Sequence, residues 1–135
     1  MKWMMPALLF LFSALALATP APEGAEVYFI TPADGDTLTG PVTVRFGLKN
    51  MGVSPAGHDA PNTGHHHLLI DVTDLPPLDQ PLPKSANVVH FGGGQTETTL
   101  ELPPGEHTLQ LLLGDFSHLP HQPPVMSKRI TVIVR

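Results

Sequence analysis

The sequence predicts an all-β domain, an immunoglobulin-like antiparallel β-sandwich of about seven strands. From residue 26 onward apolar and polar residues alternate, as they do in strands with one buried face. Turn signals rich in Pro, Gly and Asp separate these runs, and none of the runs has the spacing of an amphipathic helix. Strands of this kind bury their apolar faces in a two-sheet sandwich, and a small β-barrel is the alternative.

Each predicted strand is a short run of β-forming residues bounded by turn residues. The predicted strands are 26–31, 42–49, 65–72, 88–91, 96–102, 106–114 and 130–134. The alternation is clearest in 42–49, where Val42, Val44 and Phe46 occupy every second position. Pro103-Pro104-Gly105 predicts a hairpin turn between the fifth and sixth strands. Two long connections remain, 51–64 and 73–87, and prolines stiffen the second.

Composition narrows the possible functions. A chain of 135 residues supports one domain. With 12 acidic and 7 basic residues the chain has a net negative charge, which excludes a nucleic-acid-binding protein that works by general neutralisation of phosphates. The chain has no Cys, which excludes disulfides, thiolate nucleophiles, iron–sulfur clusters, thiolate zinc sites and type 1 copper sites. No nucleophile elbow or phosphate-binding loop is present, so no catalytic or organic-cofactor residues are predicted.

Residues 1–18 are typical of a secretory signal peptide. Lys2 is followed by an apolar run that is too short for a spanning helix, and Ala16-Leu17-Ala18 is a small-x-small cleavage signal. We therefore expect a mature domain of residues 19–135, with no membrane span after cleavage, in the periplasm or secreted.

Histidine is the unusual feature of the mature sequence. All 8 histidines lie between His58 and His121. In a strand, residues two apart share a face, so His65 and His67 point the same way, about 6.6 Å apart. Imidazoles at this spacing can converge on one metal ion, which needs each ligating nitrogen at about 2.0–2.1 Å. His66 points the other way, with the apolar face of its strand.

Several further side chains join His65 and His67 as candidate metal ligands. His66 and His107 lie at the rims of apolar strand faces, where a buried imidazole must be hydrogen-bonded or ligating. His90 precedes a run of three glycines, and His118 follows Asp115, which could ligate or orient a ring. The candidate set is His65, His66, His67, His90, His107, His118 and Asp115.

Imidazoles without thiolates suit copper(II), zinc or nickel, and copper or zinc is the predicted ion. Met51 and Met126 are possible copper(I) ligands, although core packing is the simpler role for a methionine.

Four segments resemble an uncharacterised bacterial family of exported single domains, a domain of unknown function. They are GHHHLLID (64–71), HFGGGQTE (90–97), LPPGEHTLQLLLGD (102–115) and HLPHQPPVMS (118–127). The resemblance spans roughly residues 26–134 and implies an exported β-domain. It also implies a set of positions that are characteristic of the family: Gly64, His65, His66, His67, His90, His107, Asp115 and His118. It implies no activity.

Three functions remain open from the sequence. The first is a periplasmic domain that binds a transition metal for handling or delivery rather than catalysis, because no general acid, base or nucleophile is paired with the cluster. The alternative is a metal-free envelope module that recognises a protein or a small anionic ligand through imidazoles that become cationic at mildly acidic pH. An enzyme that uses a metal-bound water is the third, and it requires an open coordination position.

Overall fold

Nine strands form the protein in the computed structural model, which describes residues 9, 10 and 17–135. They are β1 (Glu26–Thr31), β2 (Thr37–Leu38), β3 (Val42–Lys49), β4 (Gly52–Val53), β5 (Thr63–Ile70), β6 (Val88–His90), β7 (Glu97–Leu100), β8 (Gly105–Gly114) and β9 (Ile130–Val134). No helix occurs in the described part of the chain. The all-β prediction is confirmed.

The strands form two sheets. One has three antiparallel strands in the order β1-β3-β7, and the other has six, in the order β2-β9-β8-β5-β4, with β6 also paired to β5. The sheets are not closed into a barrel, so the described residues form a β-sandwich. The predicted sandwich is confirmed over the alternative of a small barrel.

The main core lies between the two sheets. Val44 and Phe46 of β3 face Leu68 of β5, Leu111 of β8 and Val132 of β9, all nearly or fully inaccessible to solvent. These residues alternate with others along each strand, as the sequence predicts for strands that bury one face against a partner sheet. Burial of this apolar surface is the main force that holds the sheets together.

The outer face of the six-stranded sheet is also buried. Leu69 and Leu112 project from this face and pack against Leu82, with Leu78 and Met126 partly buried beside them. Leu78 and Leu82 belong to the proline-rich connection 73–87, which crosses the sheet and excludes water from it. The candidate site lies on this covered face. The predicted strands did not include this second buried layer, although the run Leu111-Leu112-Leu113 indicates a strand buried on both faces.

The predicted hairpin between the fifth and sixth strands is wrong. β7 pairs with β3 in the small sheet, whereas β8 pairs with β5 and β9 in the large one. Pro103-Pro104 therefore carries the chain from one sheet to the other. Proline has no N–H to donate and fixes φ, so the pair suits this crossing as well as it suits a tight turn.

The strands differ in detail from the predicted set of about seven antiparallel strands. All seven are present, but β5 begins and ends two residues earlier than predicted, at 63–70 instead of 65–72. The additional strands β2 and β4 have two residues each and pair in parallel, β2 with β9 and β4 with β5. Two-residue segments within loops have no periodicity, so alternation could not reveal them.

The predicted leader, residues 1–18, lies largely outside the described residues, which include only 9, 10, 17 and 18 of it. Leu9, Phe10 and Leu17 are 83%, 78% and 91% exposed. Every strand and both apolar clusters lie after residue 18, so the domain from Thr19 onward contains the complete fold described here. Within the described residues, no helix is long and apolar enough to cross a membrane.

Candidate metal centre

Strand β5 places His65 and His67 on the covered outer face of the large sheet. His65 lies opposite Gly114 of β8, and His67 lies opposite Leu112. Both histidines are fully buried. Gly114 provides the space for the rings, because a Cβ there would lie 2.5 Å from Cε1 of His67 and 3.3 Å from Cα of His118. The same-face prediction for His65 and His67 agrees with this arrangement.

A tight turn after β8 brings His118 to the same place. The turn is closed by the N–H of Asp115, which donates to the Leu119 carbonyl at 2.9 Å, and by the N–H of His118, which donates to the Asp115 carbonyl at 3.0 Å. The carboxylate of Asp115 accepts further hydrogen bonds from the backbone N–H groups of Ser117 and Leu119. His118 adopts a left-handed conformation with φ of 64°. This conformation is uncommon outside glycine, and the turn holds it in place.

Three ring nitrogens meet at the centre of this arrangement. Nδ1 of His118 lies 2.9 Å from Nε2 of His65 and 3.3 Å from Nε2 of His67. The ligand atoms of these three residues all lie within 4.8 Å of one another. A tetrahedral ion with metal–nitrogen distances of about 2.0–2.1 Å separates its ligands by about 3.3 Å. His65, His67 and His118 could therefore hold one metal ion.

A fourth imidazole, His90, borders the other three. His90 is the register partner of His67 across β5 and β6. Its ring centroid lies 4.4 Å from that of His67 and 4.7 Å from that of His118. Nε2 of His90 lies 2.8 Å from the Pro83 carbonyl, to which it must donate a proton. In the neutral ring this leaves Nδ1 as the unprotonated nitrogen, the form that binds a metal.

Burial keeps the cluster uncharged. Burial, followed by repulsion from His118 and His90, lowers the pKa of His65 to about 4. Burial, followed by repulsion from His65, lowers the pKa of His67 to about 2. The pKa of His118 is also lowered, by burial and by His90. These rings are therefore neutral at pH 7, with lone pairs available for a cation.

His66 is not part of this cluster. It projects into the main core, where its ring centroid lies 5.0 Å from that of Phe46. Neither ring nitrogen has a hydrogen-bond partner among the described residues. Burial, followed by repulsion from His65, lowers its pKa to about 4. The alternation along β5 separates it from His65 and His67, so the structure does not bring it to their centre.

His107 is also absent from the cluster. Its Nδ1 lies 2.7 Å from the Asp71 carboxylate, and its Nε2 lies 2.7 Å from the Pro103 carbonyl. Both partners can only accept, so the two contacts are both satisfied only in the imidazolium form of the ring. The hydrogen bonds to Asp71 and Pro103 accordingly raise its pKa. A ring in this state has no lone pair for a metal, because both nitrogens carry protons.

Asp115 acts on the cluster through the turn that it closes. Burial acts to raise its pKa, but hydrogen bonds from Thr19, Ser117 and Leu119 outweigh burial and hold the pKa below its usual range. Met51 packs against the main core and Met126 packs against the second apolar cluster, so both methionines take part in core packing. His58 is exposed.

Sequence reasoning missed three groups that shape the site, and it named a fourth, His121, without including it among the candidate ligands. Gly114 makes room for His67, the Pro83 carbonyl orients His90, and Thr19 Oγ1 donates to Asp115 at 2.8 Å. His121, 1% exposed, contacts the Thr63 carbonyl through Nε2 at 3.2 Å. Only Gly114 has a local signal, because a glycine that ends a run of leucines in a strand often marks a close approach.

Fold and site together define a small β-sandwich with a buried imidazole cluster on the outer face of its larger sheet, where His65, His67 and His118 could hold a metal ion. The chain belongs to the DUF4399 family, a domain of unknown function, whose family model matches residues 44–135. The resemblance to an uncharacterised family is confirmed.

Comparisons with other proteins add little about function. No curated protein matches this chain. One solved structure that matches part of this chain is the endo-beta-1,4-mannanase from Thermotoga petrophila, with a TM-score of 0.48 and 21% sequence identity. The match covers 82% of this chain and 20% of the mannanase chain, so this chain spans about a fifth of that enzyme.

Proposed function

We propose that this protein is an exported domain that binds copper or zinc through His65, His67 and His118, for metal handling rather than catalysis. The observation that carries the proposal is the position of His118 Nδ1, 2.9 Å and 3.3 Å from the Nε2 atoms of His65 and His67. Histidines separated by some 50 residues of sequence converge there because the turn after β8 folds back onto β5.

The donor set supports copper(II) or zinc(II). All the donors are neutral imidazole nitrogens, and the chain has no Cys to supply a thiolate. Imidazole suits both ions, whereas carboxylate-rich sites suit magnesium and calcium. His90 lies beside these donors, but the ligand atoms that lie within 4.8 Å of one another are those of His65, His67 and His118. Three imidazoles leave one position of a tetrahedral shell for a further ligand. Handling is favoured over catalysis because no general acid, base or nucleophile is paired with the cluster.

The electrostatics favour a cation over an anion. An anion-binding cluster requires imidazolium rings, but the lowered pKa values of His65, His67 and His118 oppose protonation near neutral pH. Burial is the largest cause of each of these shifts, and the neutral rings keep unprotonated nitrogens that a metal ion can bind. The arrangement therefore supports metal binding more than capture of a carboxylate or a phosphate.

An exported location is supported by the contrast between the leader and the domain. The leader side chains Leu9, Phe10 and Leu17 are largely exposed, and so do not contribute to the core. Thr19, the first residue of the predicted mature chain, is hydrogen-bonded to the turn that carries His118. Cleavage after Ala18 would leave the fold and the site intact.

The test is metal binding by the domain from Thr19 onward, purified without a histidine tag. We expect one copper(II) or zinc(II) ion per chain, with binding greatly weakened in His65→Ala and His67→Ala. His66→Leu is the matched control, because it changes the residue between them on the opposite face of the same strand. Binding of neither ion with a Kd below about 10 μM contradicts the proposal, as does equal loss in the His66 control.

A further inference from the structure

Asp115 is a buried carboxylate with no cationic partner among the described residues. It is 2% exposed, and no Lys, Arg or His in the described part of the chain forms a salt bridge with it. Its Oδ1 accepts three hydrogen bonds, from Ser117 N, Ser117 Oγ and Leu119 N at 2.9, 2.9 and 3.0 Å. Carboxylates this buried are nearly always paired with a cation or a metal.

The other oxygen of Asp115 faces the start of the domain. Oδ2 accepts a hydrogen bond from Thr19 Oγ1 at 2.8 Å, and a carboxylate oxygen has capacity for a second. The segment from Thr19 is bound along the same loop, because Gln122 N–H donates to the Thr19 carbonyl at 2.9 Å and Ala21 N–H donates to the Gln122 carbonyl at 3.0 Å. Leu17, two residues earlier, is 91% exposed.

We propose that removal of the leader before Thr19 completes the support of His118, so that the processed protein binds metal more tightly than its precursor. Cleavage of the Ala18–Thr19 peptide bond by water leaves a carboxylate on Ala18 and an α-ammonium group on Thr19. In threonine the backbone nitrogen and Oγ1 are three bonds, about 3–4 Å, apart. The new cation is therefore within reach of Oδ2, and it supplies the partner that the buried carboxylate lacks.

The ion pair acts on the metal site through the turn. Asp115 closes the turn with its N–H, its carbonyl and its carboxylate, and the turn holds His118 in its left-handed conformation. Metal–ligand distances tolerate deviations of only about 0.2 Å. In the precursor the same nitrogen is an uncharged amide, so Asp115 is held less firmly. Thr19 and Asp115 are thus positioning residues, and metal loading is favoured after export. This inference rests on the proposed metal site.

The experiment compares three proteins that differ only at the amino terminus. One begins at Thr19, one retains Leu17 and Ala18, and one begins at Thr19 with an acetylated α-amine. We expect the extended and acetylated forms to bind copper(II) or zinc(II) about tenfold more weakly, the effect of losing one charge-assisted hydrogen bond. The copper(II) electron paramagnetic resonance spectrum should also change, because the His118 ligand shifts. Affinities within twofold of one another overturn the inference.

Two variants separate a positioning role from a general loss of stability. Asp115→Asn should abolish the difference between the three amino termini, because the buried charge is gone. Thr19→Ser should retain the affinity of the Thr19 protein, whereas Thr19→Val should weaken it. A difference between the amino termini that persists in Asp115→Asn contradicts the assigned partner.

The ion pair between Thr19 and Asp115 can also be tested in the absence of metal. In the metal-free proteins the ion pair should raise the thermal midpoint of the Thr19 form above that of the acetylated form. Equal midpoints overturn the ion pair. If no form binds either metal but the midpoints differ as expected, the proposed metal site fails and the amino-terminal ion pair stands.

Discussion

Replacement of Gly114 by alanine adds one methyl group directly against the candidate metal centre. The new Cβ would lie 2.5 Å from Cε1 and 3.1 Å from Nδ1 of His67, on the strand opposite. Carbon atoms in contact prefer separations of about 3.5–4.0 Å, so the ring must move by about 1 Å. The hydrogen-bonded pairing of β5 with β8 fixes both backbones, so the His67 ring has to move.

The displacement can be converted into an expected loss of metal affinity. A shift of about 1 Å is several times the tolerance of about 0.2 Å for a metal–ligand distance. We therefore expect Gly114→Ala to weaken copper(II) or zinc(II) binding at least about tenfold, the size of effect seen when the support of a metal ligand is disturbed. Overpacking should also lower the free energy of unfolding by about 1–3 kcal/mol.

The assay is metal competition together with denaturant unfolding of the metal-free protein. The matched control is Gly47→Ala, whose Cβ would overlap the ring of Tyr28 on the other sheet. The control should be destabilised while keeping its metal affinity. The reasoning is refuted if Gly114→Ala is folded and binds metal as the unsubstituted domain does, or if the control loses affinity to the same extent.

Two further predictions concern the histidines outside the cluster. The pKa of His66 is about 4 in the folded protein and 6.5 in the unfolded chain. Between these pH values the unfolded chain binds a proton that the folded protein does not. The free energy of unfolding therefore falls by about 3 kcal/mol as the pH drops from 6.5 to 4. His66→Leu should make this fall less steep in the metal-free protein, while the lowered pKa values of His65 and His67 maintain the rest of it. The substitution should also raise the free energy of unfolding at pH 7 by about 1 kcal/mol. Denaturant unfolding across pH checks both effects, and a slope equal to that of the unsubstituted domain would count against the burial argument. The raised pKa of His107 gives the opposite sign, so its contribution of at most about 1 kcal/mol is complete below pH 6.5 and is lost as pH rises through the raised pKa. Asp71→Asn should remove that pH dependence, as followed by proton NMR titration of His107 and by unfolding, while metal affinity stays the same.

The sequence could predict those parts of the site that depend on alternation along one strand. The shared face of His65 and His67 follows from the two-residue period, and so does the separation of His66 from them. Alternation could not show that His107 is not a ligand. Its hydrogen-bond partner Asp71 is 36 residues away in sequence, and only the pairing of β5 with β8 brings the two together.

Long-range contacts account for what the sequence could not reveal. The convergence of His118 on β5 depends on a turn closed by Asp115, and the support of Asp115 by Thr19 spans 96 residues. No local pattern records such contacts, since hydrogen-bonding residues in loops have no periodicity. The hairpin prediction failed for a related reason: a Pro-Pro-Gly turn signal does not say whether the next strand pairs with its predecessor or with the opposite sheet.

Anomalous X-ray diffraction at the copper or zinc absorption edge tests the central claim most directly. Crystals of the metal-loaded domain should show one ion about 2.0–2.1 Å from Nε2 of His65, Nε2 of His67 and Nδ1 of His118. An ion bound at His58 or His107 instead, or no ion in crystals grown with excess metal, would contradict the account.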